Sequence, residues 1–434
     1  MQPEAGLPQA LEEWLQLLEK RHAVEIRLGL DRISVPYAKM GGRPDAAVFL
    51  VAGTNGKGSV CALLEAILLA GGYRVGCYTS PHLLHFNERV RVNGKPVDDR
   101  LLVNALAAVE AAREETDLTY FEHVTLAALE IFRQAPLDAL ILEVGMGGRL
   151  DAVNLVDPDC AIVTSVDLDH QAFLGSDREM IGMEKAGIFR AGRPAVCADP
   201  APPRSLLKHA EELNVSLWIC GRDYGFIGQP QQWYYWRCKN LGECTEPVRR
   251  AGLAYPALRG KNQLWNAAAA MMALDVLCDR LPLSMQAIRE GMMLVTLPGR
   301  FQVLPGRPVV VLDVAHNPQA AGVLAENLGA MGYFPETIAV FGMLADKDIS
   351  GVVSAVREKI DLWFLSDLHG ARGLTSRVLA ATLVEMGIDK AKIRCFGTPS
   401  EAFGAARKTV EDNGRIVTFG SFLMVADVLS TLQA

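Results

Sequence analysis

The chain lacks several features that would place it in other protein classes. It carries 43 Lys and Arg against 50 Asp and Glu, a net charge of −7, with no basic block or stripe. That excludes a nucleic-acid backbone as the main partner and leaves any anion binding to local groups. No apolar run reaches the length of a membrane span, and the richest, Val60 to Ala70, contains Glu65. Met1 to Gly6 lacks the basic-then-apolar order of a signal peptide, so the expected compartment is the cytoplasm. The nine cysteines form no C-x-x-C pair, which excludes a zinc or dithiol motif, and they read as small core residues in a reducing compartment. Cys238 alone, between Arg237 and Lys239, has basic flanks that would activate a thiol. Repeats, heptads and low-complexity segments are absent.

What is present is length and alternation. A chain of 434 residues, 50% hydrophobic, is too long for one core and predicts two domains. From Val48 to Val196, short β-branched runs alternate with helical stretches, as in a parallel sheet covered on both faces. The strands expected there are Phe49 to Val51, Val75 to Tyr78, Ala139 to Leu142 and Ala161 to Thr164. Between Cys220 and Tyr255 aromatic, turn-rich segments such as Trp233-Tyr234-Tyr235-Trp236 predict small antiparallel strands, their rings serving packing. Breaks at Leu297-Pro298-Gly299-Arg300 and Pro305-Gly306-Arg307-Pro308 mark a junction. Beyond it, Val309 to Asp313, Thr337 to Phe341, Leu362 to Leu365 and Arg415 to Phe419 alternate with helical segments. The expected architecture is α/β: a doubly wound phosphate-loop ATPase domain over 1–297 with a small antiparallel subregion, a linker over 298–308, and a smaller Rossmann-like domain over 309–434.

The most informative segment is Gly53-Thr54-Asn55-Gly56-Lys57-Gly58-Ser59, set between the apolar run Ala47 to Val51 and the helical stretch Val60 to Ile67. Glycines let the backbone approach an anion, and the first amides of a helix have no internal partners, so they point at it with the helix dipole behind them. Lys57 adds a positive charge, and Ser59 a hydroxyl suited to Mg²⁺ or phosphate. The bland alternative, turn glycines and a solvated Lys57, leaves the clustering of these residues unexplained, so an ATP-type ligand is expected. Gly58 departs from the usual spacing, in which the lysine is followed directly by Ser or Thr.

Four further segments bear chemistry. Leu140 to Leu142 ends on Glu143 and continues to Asp151, and ligands of open parallel sheets gather at strand carboxyl ends. Glu143 is therefore a hard oxygen ligand for Mg²⁺ or a partner of Arg149. Ser165-Val166-Asp167-Leu168-Asp169-His170 also follows a strand, with His170 either a metal ligand or a structural histidine. By composition Lys185 is a surface cation balanced by Glu184. Asp313-Val314-Ala315-His316-Asn317-Pro318, with Arg300 upstream, suits ribose, phosphate and amine contacts, though a helix cap and a structural histidine explain it equally well.

Together with Leu28 to Arg32, Thr79 to Leu83, Leu118 to Glu122 and Glu184 to Ile188, these motifs resemble the folylpolyglutamate synthase family, in its bacterial bifunctional dihydrofolate synthase branch, a relative of the Mur peptide ligases. The match runs from Leu28 to Ser421. The resemblance implies that Ser80, Glu143 and His170 hold Mg²⁺, with two ions in all and a K⁺ ion allowed. It implies that Lys185 is carbamylated, and that Gly53, Thr54, Asn55, Gly56, Lys57, Gly58 and Ser59 contact ATP together with Asn266, Arg300 and Asp313 from the linker side and second domain. His316 lies beside them, and Lys57, Lys185, Asp313 and His316 serve catalysis. Leu28, Gly29, Leu30, Thr119, Tyr120, Phe121, Glu122, Leu150, Asp151 and Ala152 match dihydropteroate contacts. Asn262 and Val153 replace a common His and Thr, which touches fine specificity rather than reaction type.

The implied reaction joins a pterin-bearing carboxylate to L-glutamate through an acyl phosphate made from ATP, in a monomer whose two domains hinge near Pro298 and Gly299. The partners are small molecules, with neither nucleic acid nor membrane. A nucleotide-binding switch protein would not need Arg300, Asp313 and His316. A ligase acting on a cell-wall amino acid or a cyanophycin-like chain would not need the pterin motifs near Leu28 and Phe121.

Overall fold

The computed structural model describes residues 7–21, 27–370 and 372–433. By its internal contacts the chain forms two units. The first comprises Met1–Val166, Leu174–Pro256 and Leu264–Val295, and the second comprises Asp167–Phe173, Ala257–Gln263 and Thr296–Ala434.

The first unit is built on eight strands: β1 (Ala47–Ala52), β2 (Val75–Tyr78), β3 (Val90–Val92), β4 (Lys95–Pro96), β5 (Ala139–Glu143), β6 (Cys160–Val163), β7 (Pro194–Cys197) and β8 (Ser216–Ile219). Their order is β4-β3-β2-β5-β1-β6-β7-β8, parallel except where β3 pairs with β2 and β4. β1, β5 and β6 are buried along their whole length, which is why they read as continuous apolar runs rather than alternating ones. β1 lies between β5 and β6, with Val51 opposite Glu143 and Ala52 opposite Val163. The loops leaving these three strands therefore start side by side at one sheet edge. Trp14, Phe132, Leu140 and Val163 belong to the core on this sheet.

A small antiparallel sheet follows, ordered β11-β10-β9, from β9 (Tyr224–Gly228), β10 (Trp233–Arg237) and β11 (Val248–Leu253). Period two decides its packing: Trp233 and Tyr235 are buried while Tyr234 and Trp236 are half-buried. The Tyr235 hydroxyl and Arg237 Nε each donate to Asp275 at 3.0 Å, tying the sheet to the helix Gln263–Val276. The free thiol that the basic flanks of Cys238 allow as a minor alternative is not found. Cys238 is bonded to Cys244, because the turn after β10 brings their Cα atoms to 4.6 Å, a C-x₅-C pairing that a search for C-x-x-C passes over. Cys61, Cys77, Cys160, Cys197 and Cys220 are buried as expected, whereas Cys278 and Cys395 are exposed.

The second unit contains β12 (Gln302–Leu304), β13 (Val309–Leu312), β14 (Thr337–Phe341), β15 (Leu362–Ser366), β16 (Ile393–Phe396) and β17 (Arg415–Phe419). The order is β12-β13-β17-β14-β15-β16, parallel except for β12. Phe341, Trp363 and Phe419 form its aromatic centre, with ring centroids 4.9 to 6.3 Å apart. Among the described residues no helix is long and apolar enough to cross a membrane.

Candidate active site

The phosphate loop leaves β1 and enters the helix Lys57–Ala70. Two of its glycines are required by space as well as by conformation. A β-carbon on Gly53 (φ +149°) would meet Thr164 Oγ1 at 1.8 Å, and one on Gly56 (φ +90°) would meet Asn266 Oδ1 at 2.6 Å. The loop is pinned by the segment after β6: Thr54 N donates to Ser165 O at 2.7 Å, Asn55 N to Ser165 Oγ at 3.1 Å, and Thr164 Oγ1 to Asn55 O at 2.6 Å. Lys57 Nζ curls back to Gly53 O (3.0 Å), which holds its charge over the loop. No side chain caps this helix and no acid stands in its first turn, whereas Asp98, Thr119, Asp177 and Ser284 cap four other helices of the unit. The first-turn amides thus remain for an anion. Asn266, expected on the linker side, sits in the first unit against Gly56.

Ser80 and Glu143 are neighbours in the same unit. Glu143 ends β5, is buried, and accepts from Ser80 N at 3.2 Å. The alternative pairing of Glu143 with Arg149 is not found, because Arg149 Nη2 lies 2.7 Å from Glu184 Oε1. For the same reason Lys185 is not a surface cation balanced by Glu184. It is 3% exposed, on the inner side of the helix Arg178–Ala186. Arg149 N donates to Glu184 O (2.8 Å), and Asn154 Nδ2 to Arg149 O (3.0 Å) and Gly187 O (3.1 Å), so the Glu143–Asn154 segment and the Lys185 segment are sewn together.

The three candidate pterin segments also meet in the first unit. Gly29 N donates to Leu150 O at 3.3 Å. Phe121 packs on Gly145 and lies 6.3 Å from the Tyr78 ring. Asp151 accepts from Met146 N (2.9 Å) and Val153 N (3.0 Å), and burial raises its carboxyl to about 6 against those amides. Thr119 and Glu122 form a reciprocal cap at the start of the helix Tyr120–Gln134. Both Glu122 oxygens are engaged by Arg32, at 2.6 Å from Nη2 and 3.1 Å from Nε. Arg32 carries no local signal of this role in the sequence, yet its ion pair fastens the Leu28–Leu30 segment to the Thr119–Glu122 segment.

In the second unit Asp313 is not a helix cap. Asn317 caps the helix Pro318–Ala330, while Asp313 accepts from Phe301 N and Ala315 N, each at 2.8 Å. Burial raises the Asp313 carboxyl, opposed first by the Arg300 charge. Arg300 lies over the Phe422 ring at 5.1 Å, and His316 is 6.1 Å from the same ring with Nδ1 2.8 Å from Val314 O. Arg300, Asp313 and His316 are thus brought together. His170 belongs by contacts to this unit, in left-handed backbone (φ +49°). Asp169, one of the two acids in the Ser165–His170 segment, and Lys347, which carries no local signal in the sequence, lie 2.7 Å apart there. Among the described residues no three His, Cys, Asp or Glu side chains form a ready-made metal cage. Within the first unit, the Ser80 hydroxyl and the Glu143 carboxylate are hard oxygen donors of the kind that suits Mg²⁺, which retains waters and takes phosphate oxygens instead of filling a protein cage.

Residues 51–274 match the family pattern described as Mur ligase middle domain, and residues 299–422 match Mur ligase, glutamate ligase domain. The chain is 41% identical over 437 residues to the dihydrofolate synthase/folylpolyglutamate synthase of Escherichia coli, covering 100% of this chain and 97% of the relative. It is 39% identical over 456 residues to the protein of the same name from Haemophilus influenzae, covering 100% and 99%. Among solved structures, E. coli FolC in complex with DHPP and ADP superposes with a TM-score of 0.91 at 40% identity, covering 98% of each chain. The bifunctional folylpolyglutamate synthase/dihydrofolate synthase of Yersinia pestis complexed with AMPPNP and Mn ion gives 0.89 at 42%, covering 99% and 100%.

Proposed function

The chain belongs to the dihydrofolate synthase/folylpolyglutamate synthase family of Mur-type ligases, and from that premise we propose the chemistry of its own residues. It is an ATP-dependent ligase that requires a divalent metal, adding L-glutamate to dihydropteroate and to reduced folates. A carboxylate resists amine attack because its charge and resonance repel the nucleophile. Phosphorylation by ATP makes an acyl phosphate, from which phosphate leaves when the neutral amine of glutamate attacks. Lys57 and the loop amides neutralise phosphoryl charge during transfer, a matter of positioning and electrostatics. Mg²⁺, when bound, supplies further charge neutralisation at the phosphates, and Ser80, Glu143 and His170 are the residues that would hold it. Asn266, Arg300 and Asp313 are the residues that would contact the nucleotide, and His316 serves catalysis beside Asp313. Lys185 reacts with CO₂: its neutral amine forms the new N–C bond and loses a proton, giving an anionic carbamate. K⁺ serves as an additional ion. Leu28–Leu30, Thr119–Glu122 and Leu150–Ala152 receive the pterin.

The observation that carries this reading is the pinned phosphate loop with its uncapped helix start, at the same sheet edge as Glu143 and Ser80. ADP release that requires dihydropteroate and glutamate together is the expected assay result, and release with nucleotide alone would refute the ligase. Lys57→Ala and Glu143→Ala are each expected to abolish ligation while leaving the circular dichroism spectrum unchanged. Near-normal turnover in either variant would sink the site assignment.

A further inference from the structure

The segment Asp167–Phe173, which clusters with the second unit, carries a carboxylate that the proposed chemistry leaves unused. Asp169 Oδ1 lies 2.7 Å from Lys347 Nζ, and Asn317 Nδ2 donates to Oδ2 at 3.2 Å. His316 Nε2 stands 3.7 Å and His170 Nε2 3.9 Å from that same Oδ2. The Asp169 and Lys347 side chains are only 10% and 8% exposed, so this is an ion pair inside the protein rather than a solvated one. Asp169 Oδ1 also accepts from His170 N at 2.8 Å, gripping the backbone of a residue held at φ +49°, a conformation that a side chain disfavours. One carboxylate thus touches the backbone of His170, faces its ring, faces the ring of His316, and is itself anchored by Lys347 and by the cap residue of the helix Pro318–Ala330.

We infer that Asp169 is a positioning residue that, anchored by Lys347 and Asn317, holds His170 in the orientation in which it serves the divalent metal. The inference rests on the reading of His170 as a metal ligand. Residues that orient metal-binding histidines from behind commonly act by carboxylate contact, and their loss costs about 10- to 100-fold in metal affinity. Lys347 is the counter-ion of this largely buried carboxylate, its Nζ 2.7 Å from Oδ1.

Mn²⁺ binding to the full-length protein with AMPPNP, followed by electron paramagnetic resonance in the absence of glutamate and turnover, tests this. His170→Ala, Asp169→Asn and Lys347→Met are each expected to weaken Mn²⁺ by about tenfold or more, with dihydropteroate affinity unmoved. A general structural lesion would move both ligands. If His170→Ala weakens Mn²⁺ while Asp169→Asn and Lys347→Met stay within about twofold of the parent, the inference fails and the metal reading stands. If His170→Ala leaves Mn²⁺ affinity unchanged, both fail. Should Asp169→Asn not fold, Lys347→Met decides alone.

Discussion

Thr164, Asn266 and Asp151 show how single side chains set what the first unit can bind. Gly56 and Asn266 fill each other's space so closely that Gly56→Ala must displace either the loop or the amide, and φ +90° adds strain of its own. Isothermal titration with AMPPNP should show at least tenfold weaker binding in Gly56→Ala. Asp151 offers a pH test. Its carboxyl is raised to about 6 by burial, so it is an acceptor-only anion above that pH and becomes neutral below it. If it accepts from the amide and amino N–H groups of the pterin, the KM for dihydropteroate should rise as pH falls from 7 to 5. In Asp151→Asn the KM should be higher at pH 7 and flat across that range. An identical pH dependence in the two proteins would remove Asp151 from pterin recognition.

At the level of elements, the ion pair Arg32–Glu122 and the cap Thr119–Glu122 do one job: they fix where the helix Tyr120–Gln134 begins relative to the Leu28–Leu30 segment. Thr119→Ala removes a cap contact and should cost about 0.5–2 kcal/mol in urea unfolding. Arg32→Met, which strips a buried carboxylate of its cation, should raise the dihydropteroate KM while leaving the ATP KM near that of the parent. Equal changes in both constants would mean that the pair supports the fold alone. Much of this arrangement was legible beforehand. β1 and β6 are apolar throughout, and β5 and β14 are apolar apart from Glu143 and Thr337 at their ends, because both faces are covered, and such runs are visible without any partner. Short or polar strands such as β3, β4 and β16 take their conformation from their neighbours and left no mark in the chain. The same holds for the site. Gly53 to Ser59 and Glu143 announce themselves by local pattern, but Asp169 and Lys347 are 178 positions apart, and only the fold pairs them. Lys185 looked superficial because its burial comes from Gly148 and Arg149 packing over its helix, a contact that local composition does not encode.

For the molecule as a whole, charge decides how its substrates arrive. ATP, dihydropteroate and glutamate all carry negative charge, and so does the chain, at −7 with no basic stripe. Long-range attraction therefore cannot be what concentrates substrate at the site, since a net-negative surface repels anions until they come within about 8 Å of a local cation at physiological salt. The attraction must be short-ranged: Lys57 folded over its own loop at 3.0 Å, the free amides of the helix Lys57–Ala70, and the metal that accompanies ATP. Short-range contacts among partly buried groups are screened far less than exposed ones. It follows that kcat/KM for MgATP should change by less than about threefold between 25 and 250 mM choline chloride, with Mg²⁺ and K⁺ held fixed so that neither ion's own binding is titrated. Any slope that appears should be a mild increase as salt relieves net repulsion. A steep fall across that range would mean that an extended cationic surface guides the nucleotide, which the sequence of this chain does not provide, and the loop-centred account of binding would have to be given up.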